Sequence, residues 1–133
     1  GAIEAARSSS DETPWLYEAL QLEGDILVAR ADQHRGRGDL ERAREDLLSA
    51  GRAYARGLEV ARSDAWLYAA EARRLLRLIE LAEAAGREPD GSLAERAREA
   101  AARAVQARPS PENSALAARV REWIPESRGA KVG

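Results

Sequence analysis

The sequence predicts an all-α fold of about five helices arranged in antiparallel pairs. Apolar residues recur at steps of three and four along most of the chain, which is the spacing of one helix face. No segment has credible strand character, and Gly, Pro and Asp mark short breaks between the helical stretches. Because short loops make consecutive helices antiparallel neighbours, we expect the elements to pack as helix pairs.

The chain is expected to form one helical domain over 13–125, because 133 residues suit one domain and 44% of them are hydrophobic. Residues 1–12 are mostly small and polar, which predicts a flexible lead-in. Residues 126–133 follow the last helical stretch and are expected to form a disordered tail.

The first helix is predicted to begin at Thr13-Pro14, where a hydroxyl cap precedes a proline, and to end near Arg35. It has two apolar seams, which predict burial over a wide arc. Gly24 lies in the second seam, where a glycine predicts a close crossing with another helix. The first seam consists of Trp15, Ala19, Leu22, Ile26 and Ala29, and the second of Leu16, Leu20, Gly24, Leu27 and Ala31.

The second helix is predicted to start at a cap formed by Asp39, after a break at Gly36-Arg37-Gly38. It should run to about Arg62, and Gly51 beside its apolar face again predicts a close neighbour. Its apolar face comprises Leu40, Ala43, Leu47, Ala50, Tyr54, Leu58 and Ala61.

The third helix should follow a cap at Ser63-Asp64 and run to about Ala85. Its apolar residues cover more than one side, which predicts a central position in the domain. The fourth helix is predicted at about 93–108, where Ser92 and Glu95 have the spacing of a capping box. Alanines dominate its apolar face.

The fifth helix is predicted at about 111–124, because Ser110-Pro111 forms a start signal and Pro125 a stop. Leu116, Val120 and Trp123 share one face of this helix. We expect all three to point inward, and Trp123 to be a core anchor rather than an exposed stacking platform.

Composition narrows the possible partners and compartments. The net charge of −2 lacks the basic excess of a nucleic-acid-binding protein. No apolar run approaches the length of a membrane span, and no signal peptide is visible, so we expect no membrane association and a cytoplasmic location. The absence of cysteine excludes disulfides and thiolate metal sites.

Catalytic chemistry is not expected, because no set of reactive side chains has a suitable spacing. His34 is the only histidine, and metal ligands do not converge on it in the sequence. Glu18, Asp25 and Asp32 lie seven apart on one helix face, about 10 Å between neighbours, which is long for a catalytic carboxylate pair. We therefore predict no enzyme activity, cofactor or metal.

Two charged groups are candidates for partner binding. Glu18, Asp25 and Asp32 form an acidic stripe that either lines a groove for a basic segment or is a solvated face. Arg73, Arg74 and Arg77 form a basic cluster in the third helix. The cluster either binds an acidic partner or pairs with Glu71, Glu80 and neighbouring helices.

Two short sequence motifs each occur twice in the chain. The letters ERARE at 41–45 recur at 95–99, and Trp-Leu-Tyr at 15–17 recurs at 66–68. A Gly38-Asp39 turn is followed by Ala43, Leu47 and Ala50, and the second copy has Ala97, Ala101, Ala104 and then Pro109. This arrangement resembles the tetratricopeptide repeat family, although the helices are longer and the copies farther apart than its 34-residue period. The last helix is similar to the one that closes such arrays.

This resemblance implies a protein-interaction scaffold whose first helices line a groove for a protein or peptide partner. The side chains then expected to contact the partner are Glu18, Gln21, Asp25, Asp32, Arg73 and Arg77. The alternative is a plain antiparallel bundle that associates with itself and dimerises a larger regulator.

A narrower likeness concerns residues 15–47, WLYEALQLEGDILVARADQHRGRGDLERAREDL, with GLEVARSD at 57–64. These stretches resemble the long-helix repeat region that follows the catalytic domain in some bacterial serine/threonine protein kinases. No kinase signature is present in the sequence, so the likeness implies a non-catalytic fragment of such a regulator.

One face differs between the two copies. When Trp15 is laid on Trp66, the apolar residues Leu22, Ile26 and Ala29 fall on charged positions of the third helix. These positions are Arg73, Arg77 and Glu80. We therefore expect Leu22, Ile26 and Ala29 to cover a contact that the third helix lacks, with a second copy of the chain, the residues before Pro14 or a neighbouring domain.

Overall fold

A computed structural model of the chain describes the backbone of residues 15–123 and the side chains of residues 18–122. It contains no strand in this part, which confirms the all-α prediction. The expectations for 1–12, for 126–133, for the Thr13-Pro14 start and for Trp123 lie outside the described side chains. The five helices are α1 (Trp15–Gly36), α2 (Leu40–Val60), α3 (Ala65–Ala84), α4 (Gly91–Ala107) and α5 (Pro111–Trp123).

The helices pack as two hairpins and a closing helix. Helices α1 and α2 form the first hairpin, α3 and α4 form the second, and α5 packs mainly on α4. Helix α3 contacts each of the other four helices, which confirms its predicted central position. Among the described helices the backbones of α2 and α4 do not approach each other closely, so a cleft opens between them above α3.

The caps predicted at Asp39 and Asp64 are confirmed. The Asp39 carboxylate accepts a hydrogen bond from the Arg42 amide at 3.2 Å, and the Asp64 carboxylate accepts one from the Leu67 amide at 3.0 Å. The turn between α1 and α2 needs the left-handed conformation at Gly38, whose φ is +81°.

The predicted capping box at the start of α4 is wrong. The helix begins at Gly91, so Ser92 lies within its first turn, and Asp90 is the cap. The Asp90 carboxylate accepts a hydrogen bond from the Ser92 amide at 2.9 Å, and bonds from Ser92 lower the pKa of Asp90. A carboxylate at this position is favoured because it meets both the free amides and the positive end of the helix dipole.

The start of α5 is fixed by two polar side chains. The Ser110 hydroxyl accepts a hydrogen bond from the Asn113 amide at 3.1 Å, as its predicted capping position requires. The buried Asn113 side chain donates to the carbonyls of Ala104 and Arg108, at 3.3 and 2.9 Å. These bonds attach α5 to the end of α4, and the Ala104 carbonyl accepts the Arg108 amide as well, at 2.9 Å.

The core follows the predicted face of α2 and the alanine face of α4. The buried residues of α2 include Ala43, Leu47, Ala50 and Tyr54, at steps of three and four. Helix α4 buries Ala97, Ala100, Ala101 and Ala104, and their small side chains allow close packing in the second hairpin. Leu116 and Val120 of α5 are buried as predicted.

The prediction of two buried seams on α1 is wrong. In the second seam Leu20, Gly24 and Ala31 are buried, whereas the described members of the first seam are exposed. The physical reason is the position of α1 at the edge of the domain. Only α2 and α3 pack against it, so one side of α1 has no neighbouring helix among the described residues.

Candidate protein-interaction surfaces

The exposed seam of α1, formed by Ala19, Leu22, Ile26 and Ala29, is called the α1 outer face below. Leu22 is 60% exposed and Ile26 is 56% exposed, and both alanines are exposed as well. These four side chains lie at steps of three and four and so form one apolar strip along the helix. A contiguous apolar strip of this kind is typical of an association surface, unlike a single exposed leucine.

Asp25 is not part of a solvated acidic stripe. It is half-buried, and its carboxylate accepts a hydrogen bond from the Tyr54 hydroxyl at 2.7 Å. The Tyr54 ring is buried and packs directly over Gly24, so the close crossing predicted at this glycine is confirmed. Burial raises the pKa of Asp25, an effect that the Tyr54 hydrogen bond and the Arg73 charge oppose.

Asp32 and Arg77 pair with each other. The Arg77 guanidinium donates two hydrogen bonds to the Asp32 carboxylate, at 3.0 and 3.2 Å, and so joins α3 to α1. Both residues are predicted contacts for a partner. Each already neutralises part of the charge of the other, as a charged group of a partner would do. As partner contacts they stay predictions.

Arg74 has a structural role in the basic cluster. It is only 3% exposed, and its guanidinium donates to both oxygens of Glu71 at 2.6 and 2.7 Å. It also donates to the Leu47 carbonyl of α2 at 3.1 Å and lies over Gly51. The predicted pairing with Glu71 is therefore present, and a buried arginine is the close neighbour expected at Gly51.

The remaining predicted contacts are available to solvent to different degrees. Glu18 and Arg73 are exposed, and Gln21 is half-buried. No described contact brings these three side chains together into one site. Glu18 and Gln21 of α1 and Arg73 of α3 stay predicted contacts.

The Asp46 carboxylate of α2 contacts two basic side chains of α1. The Arg30 guanidinium donates to its two oxygens at 3.0 and 2.7 Å, and the His34 Nε2 atom lies 3.5 Å away. The hydrogen bonds from Arg30 lower the pKa of Asp46. In the described part of the chain, no group of three metal-ligating side chains forms around His34 or elsewhere.

A cleft of about 670 Å³ lies between α2 and α4, with α3 as its floor. Leu48 and Leu78 contribute apolar surface, and Arg44, Arg52 and Arg96 line it with charge. The sequence does not predict this cleft, because the cleft depends on the spacing between two helices whose backbones stay apart. The exposed Leu48 on an otherwise polar part of α2 was the one signal for it.

A second, smaller cleft of about 550 Å³ lies where the start of α3 meets the α4–α5 corner. Trp66 and Arg73 line it together with Asn113. Trp66 is in edge-to-face contact with Tyr54, at 6.4 Å between ring centroids, so one part of its ring supports the core.

Comparison with known proteins gives no match: no family model, curated protein or solved structure corresponds to the chain. None of the described helices has the length and apolar character that crossing a membrane requires. The geometry of the α1 outer face and of the charged groups beside it is therefore the basis for a function.

Proposed function

We propose that the chain is a non-catalytic protein-interaction module, built as a scaffold of tetratricopeptide-like helix pairs. The two hairpins, the closing helix and the turn at Gly38-Asp39 support this architecture. In such scaffolds the first helix of each pair faces the partner. Here those helices are α1 and α3.

The observation behind this proposal is the α1 outer face. Leu22 and Ile26 are each more than half exposed, although the same helix buries a seam on its opposite side. Full burial of one such side chain is worth about 1.5–3 kcal/mol. A partner that covered both would therefore gain a substantial part of its binding free energy at this strip.

Charged groups beside the strip define which contacts a partner can make. Asp25 is bound to Tyr54 and Asp32 to Arg77, so these groups offer little unpaired charge. Glu18 of α1 and Arg73 of α3 are exposed. A partner surface with an apolar centre and a few polar groups at its edge fits this arrangement, which is the usual anatomy of protein interfaces.

The parent of this module is proposed to be a larger bacterial regulatory protein, such as a serine/threonine protein kinase, located in the cytoplasm. The support is the sequence likeness over 15–47 and 57–64. The module would contribute binding, without a cofactor or nucleic acid, and any kinase activity would belong to another part of the parent.

A position-specific photocrosslinking experiment tests the interaction surface. We expect benzoylphenylalanine in place of Leu22 or Ile26 to form a defined protein adduct when the parent protein is irradiated in its own cells. Val60, an exposed apolar residue at the end of α2, is the matched control position. Absence of adducts at 22 and 26, or equal yields at all three positions, would contradict the proposal.

A further inference from the structure

We propose that the partner of the α1 outer face is the same face of a second copy, packed antiparallel to the first. This inference rests on the proposed function and names the partner for that surface. Its basis is the distribution of charge around the apolar strip. On one side of the strip, the acidic Glu23 lies in the first half of α1 and the basic Arg30 lies in the second half.

Glu23 and Arg30 are on the same side of the strip, because seven residues return almost to the same direction around a helix. In an antiparallel pair related by a two-fold axis, the same side of the strip in each copy meets its equivalent, and the two helices run in opposite directions. Glu23 of each copy then faces Arg30 of the other, which gives two ion pairs. The two-fold axis passes between positions 26 and 27, so the two Ile26 side chains meet at its centre.

The same register has consequences for the opposite side of the strip. Glu18, Asp25 and Asp32 lie on that side. Asp25 and Asp32 are already bound within their own copy, to Tyr54 and to Arg77, and the two Glu18 side chains lie at opposite ends of the pair. A parallel two-fold pairing would instead bring opposite sides of the strip together, so Glu23 of each copy would lie near Glu18 and Asp25 of the other rather than near Arg30.

Arg30 can take part in this contact without losing its bond to Asp46. Its side chain is 56% exposed, and two of its five N–H donors are engaged with Asp46. The Glu23 side chain is exposed and has no ion pair among the described residues. Both members of the proposed pair are therefore accessible from the same side of α1.

The expected dimer is weak. Stable interfaces bury at least about 1,200 Å² in total, and one helix from each copy contributes less than this. We therefore expect a concentration-dependent dimer, with a dissociation constant of roughly micromolar order or higher. A contact of this strength suits a regulator that dimerises when its local concentration rises.

The absence of cysteine allows a direct test of the register. In the proposed pairing, two Cys residues at position 26 lie almost opposite each other, within reach of a disulfide. Two Cys residues at position 22 are separated by about 13 Å along the helices. Oxidation should therefore crosslink Ile26→Cys at least tenfold faster than Leu22→Cys or the α2 control Val60→Cys.

Two results of this experiment would overturn the proposal. Crosslinking of Leu22→Cys as fast as Ile26→Cys would indicate parallel pairing, and Ile26→Cys no faster than Val60→Cys would mean that this face does not self-associate. If the photocrosslink at position 26 instead joins a different polypeptide, the proposed function stands and the inference of a second copy fails.

The charge pairing is tested by sedimentation equilibrium of the whole chain. Glu23→Arg places like charges opposite each other and should raise the dimer dissociation constant at least tenfold. Glu45→Arg, which changes an exposed acid on α2, is the matched control and should leave it unchanged. Circular dichroism checks that both variants are folded. Equal dissociation constants for the two variants would overturn the antiparallel register.

Discussion

The Tyr54 ring occupies the space beside Gly24 of α1, where a side chain is missing, and the Tyr54 hydroxyl donates a hydrogen bond to Asp25. The ring therefore cannot move aside easily if a side chain is added to the glycine. This contact involves two residues far apart in sequence and positions α1 on α2. At the scale of single residues, packing of this kind determines how α1 is oriented and hence which seam faces solvent.

Gly24→Ala is expected to lower the free energy of unfolding by about 1–3 kcal/mol, because the new methyl group overlaps the Tyr54 ring. Gly36→Ala is the control, since no atom lies within 4 Å of a methyl group added there. It should be neutral or stabilising by up to about 1 kcal/mol. Urea denaturation of both variants measures the difference, and equal stabilities would show that Tyr54 does not restrict this position.

Asp46 should make stability depend on acid pH. Its pKa is lowered in the folded state, so its stabilising effect is present at neutral pH and is lost as pH falls through that lowered pKa. Asp46→Asn should cost about 1 kcal/mol at pH 7, a small value because Arg30 is largely exposed. Denaturation from pH 7 to pH 3 should show a smaller acid-induced loss in this variant. An unchanged loss would assign the pH dependence to other carboxylates.

The predicted helix caps were correct where a single residue is placed to form the cap. Asp39 and Asp64 cap their helices because a short acidic side chain reaches the amides three residues on. The Ser92 expectation failed because the helix begins earlier, at Gly91, where the Asp90 carboxylate accepts the amide of Ser92 itself. Sequence spacing alone does not rank two neighbouring caps.

At the scale of the element, α2 buries the face that its sequence predicts. Leu47 and Leu48 are adjacent leucines in this helix, yet Leu47 is 2% exposed and Leu48 is 36% exposed. The helical turn of about 100° per residue separates them, so Leu47 enters the core and Leu48 faces the α2–α4 cleft. They form a matched pair for testing the register of the helix.

Leu47→Ala is expected to cost about 2–5 kcal/mol, because it leaves a cavity in the main core. Leu48→Ala removes the same atoms from a partly exposed site and should cost less than about 1.5 kcal/mol. Thermal or urea denaturation compares the two. A loss for Leu48→Ala as large as that for Leu47→Ala would mean that the register of α2 is wrong.

Which face of α1 is buried depends on the helices that pack around it. Its two apolar seams have similar hydrophobicity, and within the helix only Gly24, which predicts a close crossing, distinguishes the second seam from the first. The choice depends on where α2 and α3 pack, and they take the seam with Leu20, Gly24 and Ala31. Comparison of the two sequence copies did single out Leu22, Ile26 and Ala29, because their counterparts in α3 are charged.

At the scale of the whole molecule, α3 organises the domain, since it contacts all four other helices. The broad apolar pattern of α3 predicts this position. The tertiary pairs Asp32–Arg77 and Asp25–Tyr54 could not be predicted, because their partners are 45 and 29 residues apart. The α2–α4 cleft was likewise beyond prediction, as it depends on the distance between the two hairpins.

The solution mass of the chain tests most directly whether the α1 outer face joins two copies. Light scattering should give 14.5 kDa at low concentration and approach twice that mass as the concentration rises into the high micromolar range. Ile26→Asp should remain monomeric over the same range and keep its helical circular dichroism, because the side chain is exposed in the single copy. A wild-type mass that stays at 14.5 kDa, or an Ile26→Asp variant that dimerises equally well, would contradict the account.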